Sequence, residues 1–446
     1  MNKKIDDTRA MPVPASRIAR LGRLSTMTAG VAGNMAINGL AQLGQGQRPS
    51  MRDLLLTPGN MTRVADQLAK MRGAAMKIGQ LMSMDSGDVL PPELAQIMAR
   101  LRDDAHFMPP AQLKQVLNAQ WPANWLQSFR TFNVRPIAAA SIGQVHRAEL
   151  KDGRDLAIKV QYPGVARSID SDVANVGALM RMSGLLPRGF ELAPYLEEAR
   201  KQLHEETDYR REGRQLTTFG QLLSDDARFL IPELYDDWST PTILAMQYIE
   251  GRPIEDAARE SQEVRDRIAG NLIDLTLKEM FQFGQMQTDP NFANYLYQPQ
   301  TGKIVLLDFG AARTIGPEMI TRYRRLIQAG RRANTDALLE VATEIGFIAA
   351  DTRKEHKQQV TAMICLAFDA LQESEIVDFS KMSELSRRMQ EHGMALAESG
   401  FVPPPVPMDV LLLQRKLGGV FLLAARLGAR VDIGDLFDRY LGATGD

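Results

Sequence analysis

The stretch Thr288-Asp289-Pro290-Asn291-Phe292-Ala293-Asn294, followed after an apolar run by Leu307-Asp308-Phe309-Gly310, decides how this chain is read. Asp289 and Asn294 have four residues between them. At that spacing a carboxylate can orient a nucleophile while the amide oxygen ligates a metal. Asp308 stands at the end of the predicted strand Lys303-Ile304-Val305-Leu306-Leu307, where a second oxygen ligand would be held rigidly. Mg²⁺ is a hard cation that takes one or two protein oxygens and leaves its other positions to phosphate and water. Asn294 with Asp308 is a sensible protein share of such a site.

Upstream, Ala157-Ile158-Lys159-Val160 reads as a strand that follows the turn Lys151-Asp152-Gly153-Arg154. A lysine fixed on a strand can put a point charge on the α and β phosphates of a nucleotide triphosphate. Each fragment alone is common, but their order and their placement on the right kinds of element make coincidence remote. A carboxylate to orient Lys159 is available in Glu205-Glu206-Thr207-Asp208-Tyr209-Arg210-Arg211-Glu212, within a helix expected from Pro194 to Leu223. On one continuous helix, Glu206 and Glu212 would point about 120° apart and could serve two different sites. Either could pair with Lys159.

Some expected parts are missing. No Gly-x-Gly-x-x-Gly precedes the Lys159 strand; Ala138-Ala139-Ala140-Ser141-Ile142-Gly143-Gln144-Val145 stands there. Alanines still offer N–H groups to phosphate, but their Cβ atoms restrict φ and crowd close approach. Gln287-Thr288 replaces His-Arg before Asp289, and Gly316-Pro317-Glu318 follows Asp308 almost at once. Little chain is left on which to lay a peptide, so an ordinary protein kinase is disfavoured.

The whole chain has 446 residues, with 53 Lys+Arg against 54 Asp+Glu, 44% hydrophobic residues and 24% charged ones. This balance excludes wholesale disorder and gives no electrostatic case for nucleic acid. Cys365, the one cysteine, sits in the apolar run Met363-Ile364-Cys365-Leu366-Ala367 and reads as a buried small hydrophobe in a reducing compartment. Arg17, Arg20 and Arg23 alternate with Ile18, Leu21 and Leu24, and no charge occurs from Leu24 to Gln47. Residues 1–48 therefore read either as a flexible leader or as a helix lying on anionic lipid. Helical spacing runs from Met61 to Met84, Pro91-Pro92 and Pro109-Pro110 open two more helices, and another covers Ser168 to Leu186. Strands are expected over Ser141–Leu150, Asp155–Gln161, Thr242–Tyr248 and 295–297. Most of the remainder is helical, which makes the class α+β.

At these residues the sequence resembles the UbiB, or AarF, family of atypical kinase-like proteins, most of all its coenzyme Q (ubiquinone) biosynthesis branch. Lys77-Ile78-Gly79-Gln80, the alanine-rich loop through His146, Lys159-Val160-Gln161-Tyr162-Pro163-Gly164-Val165, Glu206-Thr207-Asp208-Tyr209, Thr288-Asp289-Pro290-Asn291 and Asp308-Phe309-Gly310 carry the likeness. It extends from about Ala65 to the C-terminus. The resemblance implies a bilobal protein-kinase-like fold with a small mixed-sheet lobe, a large helical lobe and an N-terminal helical extension. The corresponding division is leader 1–48, extension 49–130, N-lobe 131–250 with inserted helices, and C-lobe 251–446.

By the same resemblance, Lys77 and Gln80 belong to an extension folded over the active site, with Lys77 paired to Glu206 or Asp208. Lys159 would pair with Glu212, Glu206 remaining an alternative. Asp289 would orient the attacking water or hydroxyl, and Asn294 and Asp308 would hold the metal. Ala138, Ala139, Ala140, Ser141, Ile142, Gly143, Gln144, Lys159, Met246 and Tyr248 would bind the nucleotide. ATP or ADP and Mg²⁺ are the implied cofactors. An anionic membrane or quinone-precursor lipid and quinone-biosynthesis enzymes are the implied partners. The expected activity is that of an ATPase or small-molecule kinase; the alternatives are a nucleotide-gated, non-catalytic scaffold and, less favoured, a protein kinase. The expected location is the cytoplasm of a bacterial cell, with a peripheral place at the inner membrane. The stretch Leu411–Gly419 is expected to serve helical packing.

Overall fold

Two apolar runs joined by a glycine-containing turn form the expected hairpin at the centre of the first sheet. The computed structural model describes residues 68, 71–85, 107–182, 191–373, 376–404 and 406–442. The leader, the helix expected at Pro91-Pro92 and the start of the helix expected from Met61 lie outside the described residues. These divide into two bodies. One holds the described residues up to Arg214 together with Glu233–Tyr248, and the other holds Gln215–Pro232 with those from Ile249 onward.

In the first body, α1 (Arg72–Asp85) and α2 (Pro110–Gln120) precede the strands β1 (Phe129–Phe132), β2 (Ala138–Ala139), β3 (Gly143–Leu150) and β4 (Asp155–Gln161). After α3 (Val165–Met182) and α4 (Ala193–Glu206), the sheet is completed by β6 (Ile243–Gln247). Strand order is β1-β3-β4-β6 with β2 added to β3, and every pairing is antiparallel. Alternation along β3 and β4 turns Ala148, Leu150, Leu156, Ile158 and Val160 into a core shared with Leu113 and Leu117 of α2. Trp121, Trp125, Phe129 and Trp238 pack edge-on and stacked at the same place. Burying aromatic rings of this size dominates local core energetics. Helix α1 packs on α3 and α4.

One expectation about this region is corrected. The single helix predicted from Pro194 to Leu223 is two helices, α4 and α5 (Tyr209–Leu222), broken at Thr207-Asp208. The break is chemically specified. Thr207 Oγ1 donates back to the His204 carbonyl, and Asp208 Oδ1 accepts the Arg211 N–H at 3.0 Å, capping the new helix. Glu206 thus ends one helix and Glu212 lies in the first turn of the next. Their divergence comes from this break and not from rotation around one axis.

In the second body, β5 (Phe229–Leu230), β7 (Arg252–Pro253), β9 (Tyr295–Gln298) and β10 (Lys303–Leu306) form a sheet in the order β5-β10-β9-β7. The β5–β10 pair is parallel and the others antiparallel. Helix α6 (Gln262–Lys278) continues into a widened π-turn, Glu279–Phe283, and leads through Gly284 to β8 (Gln285–Gln287), which pairs with β11 (Ala312–Thr314). Helices α7 (Pro317–Arg331), α8 (Thr335–Ile345), α9 (Lys354–Glu373) and α10 (Met382–Glu398) follow, with β12 (Ile376–Asp378) between the last two. The chain closes with α11 (Met408–Leu427), β13 (Arg430–Asp432) and α12 (Ile433–Leu441). Met280, Met286, Tyr323, Leu338, Val341, Val410 and Leu413 belong to one core of this body. Cys365 is half-buried at its edge.

Candidate functional site

The candidate residues fall into two groups, one in each body. In the first, Lys159 projects from β4 and its Nζ donates to both Glu212 oxygens, at 2.8 and 3.0 Å. Glu212 is 4% exposed and Lys159 12%, so the pair is largely shielded from water. The Tyr209 ring centroid lies 5.2 Å from Nζ and adds a cation–π contact. A charged lysine held this way is oriented but not consumed, because an ammonium has three donors and can address a phosphate while paired.

Glu206 serves the other lysine. Lys77 Nζ lies 2.5 Å from Glu206 Oε1, and Ser141 Oγ donates to Oε2 at 3.0 Å. One carboxylate therefore ties α1 to the alanine-rich loop. Asp208, the other partner considered for Lys77, caps α5 instead. The side chain of Gln80 lies outside the described residues.

The alanine-rich loop is a tight corner of the sheet. Ala138 and Ala139 pair with Val145 and Gln144, and the Ala140 N–H donates to the Gly143 carbonyl at 2.8 Å. Ala138 and Ala139 are exposed, Ala140 and Ser141 half-buried. Ile142 and Gln144 turn their side chains into the core, with 2% and 0% exposure. Gln144 Oε1 accepts the Met108 N–H at 2.8 Å, and its amide nitrogen faces His146 Nε2 at 2.9 Å. Neither Ile142 nor Gln144 presents its side chain at the surface. Gly143 is required there, since a Cβ would meet the Val160 carbonyl oxygen at 2.4 Å. Met246 is buried in β6, and the Arg147 guanidinium covers the Tyr248 ring at 4.0 Å.

In the second body, the loop between β8 and β9 carries Asp289 and Asn294, and Asp308 follows β10. The Leu307 N–H donates to the Asn294 carbonyl at 3.0 Å, which fastens the two candidate metal ligands to one another through backbone. Asn294 Nδ2 is directed at Asp289, 3.5 Å from its carbonyl oxygen and from Oδ2. Asp308 Oδ1 accepts the Gly310 N–H at 2.9 Å. Phe309 is buried against Phe219, ring centroids 4.9 Å apart. Among the described residues no cluster of three or more His, Cys, Asp or Glu side chains could hold a metal by itself. One carboxylate and one amide oxygen fit Mg²⁺, which relies on substrate phosphates for its remaining ligands.

Sequence reasoning missed Arg415. Its Nη2 donates to Asp289 Oδ1 at 2.6 Å, and the pair is 13% and 21% exposed. Leu411–Gly419 does pack as helix, but it also delivers this guanidinium to the loop. The available signal was a pair of adjacent cations, Arg415-Lys416, inside an apolar helix. Buried cations need partners.

A strand-borne lysine paired to a helix glutamate in one body, with an Asp-x₄-Asn loop and an Asp-Phe-Gly turn in the other, is the residue set of a kinase-like protein. The ABC1 atypical kinase-like domain is matched over residues 100–342. The mitochondrial atypical kinase COQ8 of Saccharomyces cerevisiae is 38% identical over 437 residues, which cover 98% of this chain and 87% of the relative. The mitochondrial atypical kinase COQ8B of Rattus norvegicus is 36% identical over 438 residues, covering 97% and 82%. Among solved structures, the complex of Rv3197 with erythromycin from Mycobacterium tuberculosis aligns with a TM-score of 0.60 and 25% identity, over 86% of this chain and 97% of that one. The chain belongs to the ABC1, or UbiB/AarF, family of atypical kinase-like proteins.

These relatives also correct the expected location. A cytoplasmic protein of a bacterial cell, peripheral at the inner membrane, is not what they indicate. The COQ8 relatives matched over nearly the whole chain are mitochondrial proteins. No described helix is long and apolar enough to cross a membrane.

Proposed function

We propose that the protein is a Mg²⁺-dependent ATPase or small-molecule phosphotransferase that supports ubiquinone biosynthesis. The observation that carries this reading is the second body's loop geometry: Asn294 is fastened to the Asp308 strand by a backbone hydrogen bond while its amide faces Asp289. In this reading, Lys159, oriented by Glu212, holds the α and β phosphates. Asn294 and Asp308 would hold Mg²⁺, which when bound neutralises phosphate charge. Asp289 orients the attacking hydroxyl or water, and the alanine-rich loop contributes backbone N–H groups. Met246 and Tyr248 contribute to the nucleotide's surroundings.

The acceptor side of the reading favours a small molecule or water over a peptide. Between Asp308 and α7 the chain is used up by β11, which pairs with β8, so no long segment remains to support a bound polypeptide. A quinone-precursor lipid is the acceptor class that the COQ8 relationship suggests, and quinone-biosynthesis enzymes are the corresponding protein partners.

The decisive experiment compares wild type with Asp308→Asn. Thermal shift is measured with ATP and ADP, with and without Mg²⁺, followed by phosphate release. A ligand at 100 times its dissociation constant adds about 2.7 kcal/mol of stability. The expected result is a Mg²⁺-dependent shift and phosphate release in wild type, both lost in the variant. A Mg²⁺-dependent shift without any phosphate release would support the non-catalytic scaffold instead.

A further inference from the structure

Beside Arg415, the neighbouring Lys416 faces a different task. It is 2% exposed, and its Nζ lies 3.1 Å from Tyr295 Oη and 3.5 Å from Glu279 Oε2. Glu279 is 1% exposed and sits at the start of the π-turn that ends α6. π-turns inside helices are uncommon and recur at functional sites. The backbone N–H of Gln287 lies close enough to pull the Glu279 carboxyl pKa down. Gln287 is the last residue of β8, just before the loop with Asp289, and Tyr295 is the first residue of β9, directly after Asn294. The buried pair therefore stands at both ends of one loop, Glu279 facing the Gln287 N–H and Lys416 hydrogen-bonded to Tyr295.

Two further contacts bring α11 to the middle of the same loop. Arg415 holds the Asp289 carboxylate, and a Cβ at Gly419 would lie 2.4 Å from the Pro290 side chain. The network is not the arrangement that packing alone would choose. Glu279 Oε2 has no hydrogen-bond partner among the described residues, and neither does either side-chain amide atom of the 5% exposed Gln287. Burial works against the Lys416 ammonium, yet Glu279 and Tyr295 together outweigh it and keep the lysine charged. Burial likewise pushes the Glu279 carboxyl up to about 7, against the pull of Lys416 and the Gln287 N–H. Buried ion pairs are commonly no more stabilising than apolar residues of the same volume. A role in orientation accounts for keeping this one.

We propose that Glu279 and Lys416 are positioning residues for phosphoryl transfer: they clamp the two ends of the 288–294 loop and so fix Asp289 and Asn294. This rests on the function proposed above.

The test uses the full-length double variant Glu279→Leu/Lys416→Met, which removes both charges together and leaves neither unpaired. Tyr295→Phe, which keeps the ring and removes only the hydroxyl, repeats the test if the double variant does not fold. Three quantities are read: thermal midpoint, amide hydrogen exchange across 287–295, and kcat with KM for Mg-ATP hydrolysis. The expected result is a midpoint close to wild type and exchange in 287–295 at least tenfold faster. Turnover should fall at least tenfold with KM changed by less than threefold. A folded variant with unchanged protection in 287–295, or with kcat within twofold of wild type, overturns the proposal. If wild type binds nucleotide but releases no phosphate, the functional reading fails separately, and the exchange measurement alone decides whether the clamp exists.

Discussion

Arg415 and Asp289 are 126 positions apart in the chain and 2.6 Å apart in the fold. The loop Asp289-Pro290-Asn291-Phe292-Ala293-Asn294 contains no cation of its own. The guanidinium that steadies its carboxylate arrives from a helix near the C-terminus. Because the pair is mostly shielded, its hydrogen bond is of the charged kind, contributing on the order of 1.5–3 kcal/mol. Arg415→Ala should lower turnover tenfold or more by releasing Asp289, with a smaller effect on nucleotide affinity. Arg415→Lys should recover only part of the loss, since an ammonium lacks the planar fork. Steady-state phosphate release paired with nucleotide titration checks this. Equal losses in affinity and turnover would point to collapse of the loop.

Lys77→Ala makes a different case, because Glu206 is not abandoned when the lysine goes. Its second oxygen keeps Ser141, and the side chain is 19% exposed. Removing one partner of a fully buried pair costs about 3–5 kcal/mol, so this substitution should cost less than that. The alanine-rich loop loses its link to α1 but remains folded. Nucleotide handling should therefore change more than stability does. Thermal melts alongside ATP and ADP affinities test the difference, and unchanged affinity and turnover would sink the idea that the extension restrains the loop.

How much of this was legible in the sequence depends on how local the cause is. The β3–β4 hairpin is written in alternating apolar residues and a glycine-containing turn. The candidate residues Lys159, Asp289, Asn294 and Asp308 were marked by spacing within short motifs. The break at Thr207-Asp208 was harder to see, because the run from Pro194 has helical periodicity throughout and the cap depends on two side-chain bonds. Which glutamate meets Lys159 depended on that break, so the sequence left it open. Arg415 and Lys416 were least visible. A tertiary contact across more than a hundred residues leaves no local periodicity, only two cations in an apolar setting.

Acid sensitivity should come first from His146. The ring is 0% exposed; Nδ1 donates to the Asn133 carbonyl at 2.8 Å, and Nε2 faces the Gln144 amide at 2.9 Å. Gln144 cannot turn over freely, because its oxygen already accepts the Met108 N–H. Burial, opposed by the Asn133 carbonyl, lowers the imidazole from 6.5 to about 4. The unfolded chain takes a proton below about 6.5 while the folded one declines it until about 4. Stability is thus fully present above 6.5 and is lost as pH falls through that window, in total about 3 kcal/mol. Asp226 is pulled far below its usual range, first by its hydrogen bond to Arg228, so its contribution fades only below the ordinary aspartate pKa. Glu279, whose carboxyl is raised to about 7, gains stability over the same range, so the test is a difference: between pH 7 and pH 5, urea unfolding should show wild type losing about 2 kcal/mol more than His146→Gln. Equal losses in both would assign the acid sensitivity elsewhere.

Adjacent glycines on α11 provide an internal control for the packing of this helix on the 289–294 loop. A Cβ at Gly419 would come within 2.4 Å of both Cβ and Cγ of Pro290, whereas one at Gly418 would meet nothing within 4 Å. Pro290 sits between Asp289 and Asn291, and its ring cannot rotate away, so the strain of Gly419→Ala falls on the loop or on α11. Overpacking of this kind costs about 1–3 kcal/mol. Gly418→Ala, by contrast, only removes backbone freedom from a helix interior and should stabilise by about 0.5–1 kcal/mol. The expected pattern is a lower melting temperature and reduced turnover for Gly419→Ala, with Gly418→Ala at or above wild type in stability and unchanged in turnover. Because the two substitutions are chemically identical and one residue apart, helix propensity cannot produce that split. Equal behaviour of the two variants would mean that α11 can withdraw from Pro290 without disturbing Asp289.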